Sequence, residues 1–425
     1  MKIPVALRAV FFSLVLVPVL GAFFPLFSQD DPLISSLGGE GGVRFNAEGD
    51  TPSVRTVPTG PWGDLEYYET ILEPPIRMIV AAGYLAEPRD WALSIRPPGA
   101  VADLLREGGL EPSEIEILLS PSCTSVRGDQ LRILPPADWI WKLDSGRRGR
   151  LYEVLSKEGI NRFIAHPFTL GNDIPSSLAK LRANRFSPEF LARADSLTYK
   201  RGGENVITDI QLLYELLPTV EQRFELSQLL LRTRSLIVRM RISPNSNLAK
   251  LREYWSAGFK NKDILPLLES VSRTPGVDRL DVVHLLPATP RKYIYTYATE
   301  DMAVGSEFPD CYWTSFNFFE ANEANRNLDS PTSQYIGSRW RQVQPPLRFG
   351  DLIVFSNPEG TEALHACTYV AADIVYTKNG LSLLRPFVLE PFSVVAQSYW
   401  NGGKNRVFYY RHRDAHTGNG ANIAD

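Results

Sequence analysis

Two apolar runs joined by a turn constrain the fold of the C-terminal third more than any other feature. Asp351-Leu-Ile-Val-Phe-Ser356 leads into Asn357-Pro358-Glu359-Gly360, and His365-Ala-Cys-Thr-Tyr-Val370 follows. Runs rich in β-branched and aromatic residues, bounded by Asn, Pro and Gly, predict two strands of a hairpin. Alternation along the second strand sets His365, Cys367 and Tyr369 on one face. Upstream, Pro309-Asp310 precedes Cys311, and Tyr312, Trp313, Phe316 and Phe319 recur at helical spacing. Asp310 is a good N-cap, so Cys311 is expected in the first turn of a helix.

A cysteine at a helix start has unpaired backbone N–H groups and the positive end of the helix dipole beside it. Both favour thiolate, and the same N–H groups can hold an oxyanion. A histidine on a facing sheet can take the thiol proton and return it to a leaving amine. Cysteine before histidine, one on a helix and one on a strand, is what thiol nucleophile chemistry requires. Each residue also has a plainer reading. Cysteine is commonly buried and inert, and His365 is then a surface residue at a strand start. Asp351 either orients a substrate or opens its strand and satisfies turn amides.

Asp310-Cys311, Gly350-Asp351-Leu352, and His365 with Tyr369 downstream resemble, in that order, the motifs of the NlpC/P60 superfamily of papain-like cysteine hydrolases. The resemblance covers roughly the last third of the chain. It implies an antiparallel sheet packed on the cysteine helix, with Cys311 as nucleophile and His365 as base. It also implies a third polar residue on the next strand, for which Thr377 and Asn379 are the candidates. The substrates implied are cell-wall (peptidoglycan) peptides. Tyr312-Trp313 departs from the small Ser-Gly pair the family usually carries after the cysteine. That departure favours a second reading, a catalytically degenerate envelope-binding or scaffold module. A third keeps the thiol and changes the reaction, to acyl transfer or to an amidase on another substrate.

The net charge of −3 over 425 residues excludes a general nucleic-acid binder, which shows a basic surplus. This length predicts two or three domains. Cys123, Cys311 and Cys367 are too few for a disulfide framework. His365 and Cys367 have no second ligand pair such as C-x-x-C, so neither a metal nor a cofactor is expected. Met1-Lys2 and Arg8 precede an uncharged run from Ala9 to Phe27, with small residues at Val19-Leu-Gly-Ala22. This reads as a secretory signal or as an uncleaved membrane tether. An extracytoplasmic location follows from either.

The expected fold class is α+β, in six segments. Residues 1–28 form the export segment and 29–60 a Ser/Gly/Asp/Thr-rich linker. Residues 61–175 are mixed, with helix expected at Leu65–Leu72 and Val101–Arg106 and a strand at Glu114–Leu119. Arg147, Arg148 and Arg150 are expected on a solvated helix start. Residues 176–274 are expected to be mainly helical, with Ser177–Asn184, Ser187–Ala194, Asp209–Leu217 and a long amphipathic helix Val220–Met240. Residues 275–413 carry the NlpC/P60-like domain, including strands at Tyr293–Tyr297 and Leu384–Leu389 and a linking segment at Pro391–Tyr399. Residues 414–425 are expected to fray, and His412 and His416 are discounted as ligands. The expected partners are a cell-wall peptide substrate or an envelope protein.

Overall fold

The computed structural model describes residues 43, 45, 53–171, 186–201, 204–243, 245–258, 260–303, 308–320, 332–380, 382–400 and 403–416. The export segment, Ser177–Asn184 and residues 417–425 lie outside them. The chain is α+β with antiparallel sheets throughout, and residues 75–231 separate from the rest as one compact unit. Among the described residues no helix is long and apolar enough to cross a membrane.

In the 75–231 unit, helices Pro98–Glu107, Pro112–Leu118 and Ser145–Ser156 cover a sheet of Trp91–Ser94, Thr124–Arg127 and Gln130–Ile133. Trp91, Leu93, Leu105, Leu118, Leu151 and Tyr152 form its core. The strand expected at Glu114–Leu119 is a helix instead. Pro112 stands in its first turn, and Glu111 and Glu114 form a reciprocal capping box, a stronger local signal than the Ile-Glu-Ile alternation. The expectation of a solvated arginine run is also corrected. Arg148 is fully buried and donates to Asp209 at 2.6 Å and to the Ile140 and Leu143 carbonyls at 2.9 Å.

The other unit contains residues 232–416 with the strand Asp64–Leu72. Two expected helices are corrected here by one pairing. Asp64–Leu72 and Thr233–Arg241 are strands, antiparallel in register over all nine residues. Leu236, Val238 and Met240 point inward with a period of two, which only a strand satisfies. The helix that begins at Val220 therefore stops at Leu230. Strands also occur at Thr198–Arg201 and Glu204–Ile207 among the helices of residues 176–274, and the unit boundaries fall near residues 74 and 231. Tyr293 ends the helix Ala288–Tyr293 and packs on Trp313 and Phe387, and Tyr295 has φ 63°, which breaks any strand there.

The C-terminal sheet has six strands: β1 (Trp340–Gln342), β2 (Leu352–Ser356), β3 (Ala363–Ala371), β4 (Ile374–Lys378), β5 (Phe387–Pro391) and β6 (Arg406–His412), in the order β1-β6-β2-β3-β4-β5. Helix α1 (Cys311–Phe316) packs on the face bearing Leu352, Val354 and Ala366 through Phe316. Helix α2 (Phe392–Tyr399), in the segment expected only to link strands, covers the opposite face of Ile353, Phe355, Cys367, Tyr369 and Val375. The expected strand at Leu384–Leu389 begins later, at Phe387. His412 lies in β6 and is buried, and His416 Nε2–H donates to the Phe349 carbonyl at 3.0 Å, so neither is in a frayed tail.

The Gly-Asp pair has a structural task. Gly350 has φ +85°, and a Cβ there would fall 2.1 Å from the Phe319 ring. Asp351 then accepts a bidentate pair from Arg411 of β6, at 2.8 and 2.6 Å, and the Arg348 N–H at 2.8 Å. Gly350→Ala is expected to lower unfolding stability by about 1–3 kcal/mol, read by urea titration. Asp351→Ala leaves Arg411 buried and unpaired. It is expected to cost about 3–5 kcal/mol in the same assay.

Candidate functional site

The helix start forms as its residues dictate. The Asp310 carboxylate accepts the Trp313 N–H at 2.7 Å, and Trp313 and Phe316 turn into the core. Cys311 is buried at 5% exposure. Its thiol is pushed far above the ordinary range, first by burial and then by the Asp310 carboxylate. The Ala366 N–H, the Lys378 ammonium and its own backbone N–H act in the opposite direction. Of the amides expected to be free at the helix start, that of Trp313 is taken and that of Cys311 still acts on the thiol. The cap that forms the helix takes the Trp313 N–H and sets a negative charge beside the sulfur.

His365 is 1% exposed, and burial alone pulls its imidazole down to about 3. Its Nε2 lies 3.0 Å from the Thr377 Oγ1. The Thr377 hydroxyl also donates to the Ala366 carbonyl, at 3.4 Å. A hydroxyl has one proton, so with that bond made Oγ1 accepts from Nε2–H. The neutral imidazole then carries its lone pair on Nδ1, the form a base requires. Tyr399 of α2 stacks on the ring at 4.0 Å with planes 5° apart. Its hydroxyl donates to Asn379 Oδ1 at 3.5 Å, and Asn379 Nδ2 donates to Glu390 at 3.3 Å. Burial raises Glu390 to about 7.

Thus the structure brings Thr377 to His365 and directs Asn379 elsewhere, to the support of Tyr399. Cys311 and His365 are not joined by a hydrogen bond. Pairing of Phe355 with His365 and of Val354 with Ala366 sets the imidazole on the α2 face and Ala366 on the α1 face. The sulfur meets the sheet at Ala366, the residue after His365. Tyr312, beside the thiol, has a buried hydroxyl with no hydrogen-bond partner among the described residues.

Sequence reasoning missed Tyr399, which stood in a segment read as a linker, and Lys378, the polar residue in the buried Tyr376-Thr377-Lys378 run. All three cysteines are free thiols. Among the described residues no cluster of three or more His, Cys, Asp or Glu side chains has metal-ligand geometry.

The imidazole links stability to pH. Its folded pKa lies below the unfolded value of 6.5, so the unfolded chain binds more protons between pH 6.5 and about 3. The His365 contribution is complete above pH 6.5 and falls as pH drops, by at most about 1.4 kcal/mol per pH unit. His365→Gln is expected to flatten the acid limb of the stability profile, measured by denaturant unfolding at several pH values. An unchanged limb means the ring is protonated or exposed in the fold. No protein-family model, curated protein or solved structure matches the chain.

Proposed function

We propose that the C-terminal sheet carries a papain-like thiol hydrolase site of the NlpC/P60 type, closed in the conformation described. The observation that carries this reading is the His365–Thr377 hydrogen bond, which sets the imidazole tautomer beside the strand residue that meets the Cys311 sulfur. The residues that resemble the family motifs thereby lie on neighbouring elements, α1, β2 and β3, with the sulfur and the imidazole on opposite faces of the sheet.

In the proposed reaction the site first opens so that thiol and imidazole meet on one side of the sheet. The Cys311 S–H proton then passes to His365 Nδ1, and sulfur bonds to the carbonyl carbon of an amide. The C–N bond breaks as the imidazolium returns the proton to the leaving amine. Water, deprotonated by the same imidazole, then bonds to the thioester carbon, the C–S bond breaks to release the acid, and the imidazolium returns the proton to the Cys311 sulfur. Burial opposes both charges of the thiolate–imidazolium pair, so this chemistry requires Tyr399 to leave the ring and the thiol to become accessible. The substrate class implied by the resemblance is a cell-wall peptide met outside the cytoplasm, with the N-terminal apolar run as export signal or tether.

The sealing itself favours a second reading, a silent envelope-binding module. The thiol and imidazole are 5% and 1% exposed under Tyr312 and Tyr399. One experiment separates the two. Peptidoglycan stem peptides are incubated with the full chain, and released amines and Cys311 thioesters are followed by mass spectrometry. The hydrolase reading expects turnover that Cys311→Ala abolishes and His365→Ala lowers by about 10²–10⁴-fold. Binding without turnover, equal in all three proteins, supports the module.

A further inference from the structure

Lys378 is fully buried, a state lysine rarely tolerates without a partner. Its Nζ donates to the Gly380 carbonyl at 2.7 Å and the Ser382 carbonyl at 2.9 Å, both neutral acceptors. Strand alternation sends it to the side opposite Thr377. Phe387, its direct cross-strand partner on β5, packs on Trp313 of α1 with ring centres 6.0 Å apart. Lys378 therefore lies on the sheet face under the first turn of α1, where Cys311 is.

The charges that favour its ammonium are those of Asp310 and Cys311, with burial and Arg385 opposing. The titratable groups around the thiol are Asp310 at its cap, Tyr312 beside it, Lys378 on β4, Cys367 on β3 and Tyr399 on α2, with Glu390 acting on Cys367 and Tyr399. Lys378 is the one cation among them that favours the thiolate.

We infer that Lys378 is the charge partner of Cys311: its buried ammonium offsets the Asp310 carboxylate and the thiolate together, so that the thiolate can form without a hydrogen bond to His365. The inference rests on the thiol-hydrolase reading. Lys378 acts through Cys311 and is a positioning residue. Adjacent residues of β4 then serve the two halves of the site, Thr377 holding the imidazole and Lys378 the sulfur. Burial lowers Lys378 to about 8, so this support fades in alkali.

The test uses the full chain and methyl methanethiosulfonate, with mass mapping of Cys123, Cys311 and Cys367 between about pH 6 and 9. Lys378→Met is expected to slow Cys311 modification by about tenfold at each pH below the thiol's midpoint, the effect of a rise of about one unit in the thiol, with Cys123 unchanged. Lys378→Arg restores the charge and is expected to recover most of the rate. A lysine that only packs would, on replacement, lower the melting temperature and speed Cys311 modification. That result, or a profile identical to the parent's, overturns the inference. If Lys378→Met fails to fold, the reciprocal measurement decides. The Lys378 ammonium, followed by NMR in Cys311→Ser, is expected to titrate lower than in the parent, and an unchanged titration overturns the pair. Modification needs no substrate. A shifted profile without peptide turnover sinks the hydrolase reading and keeps the pair, and turnover with an unshifted profile does the reverse.

Discussion

The bidentate bond between Asp351 and Arg411 fixes the middle of the C-terminal sheet. It joins the entry of β2 to the end of β6, both buried, and its carboxylate also holds the Arg348 N–H. Gly350 makes the approach possible, since its backbone passes where a side chain would meet Phe319. The register set there runs through β2 into β3. It decides that His365 falls opposite Phe355 rather than one residue away. A slip of one residue would send the imidazole to the other face of the sheet. The position of the candidate base is therefore set by an ion pair several residues distant.

The C-terminal third was the legible part of the chain. Asp310 as cap, the Asn357–Gly360 turn, the β2–β3 hairpin and the shared face of His365, Cys367 and Tyr369 are local signals, and the structure has all of them. Thr377 could be named because it stands on the strand next to His365. Elsewhere the signals were not local. Asp64–Leu72 becomes a strand by pairing with Thr233–Arg241, a partner far along the chain, and neither segment reveals this alone. The charge around the thiol was equally hidden. A cap that predicts a helix says nothing about how its own carboxylate acts on the next residue.

In the site region burial shifts the ionisable groups toward their neutral forms. Burial raises Cys311 and Glu390 and lowers His365 and Lys378, each away from its charged form. Raising an acid while lowering the base near it widens the gap a proton must cross, so the thiolate–imidazolium pair is disfavoured while the site is closed. They also mean that opening the site changes its charge state. Solvent reaching Tyr399 and Tyr312 would relieve the desolvation that keeps thiol and imidazole uncharged.

Ser235 has a wider consequence. Its hydroxyl donates to the Leu389 carbonyl at 2.9 Å and accepts the Leu389 N–H at 3.1 Å. β5 is the last strand of its sheet, and Leu389 is the middle residue of its five. A single side chain thus takes both outward backbone groups of Leu389, and Tyr295 and Thr296 take those of Phe387. The border of the sheet is closed without a seventh strand, and the chain cannot be lengthened there by a peptide, a neighbouring molecule or a growing aggregate. At the opposite border β1 has only three residues, too short a template for pairing. A partner that approaches the six-stranded sheet at these borders meets side chains and turns rather than open backbone.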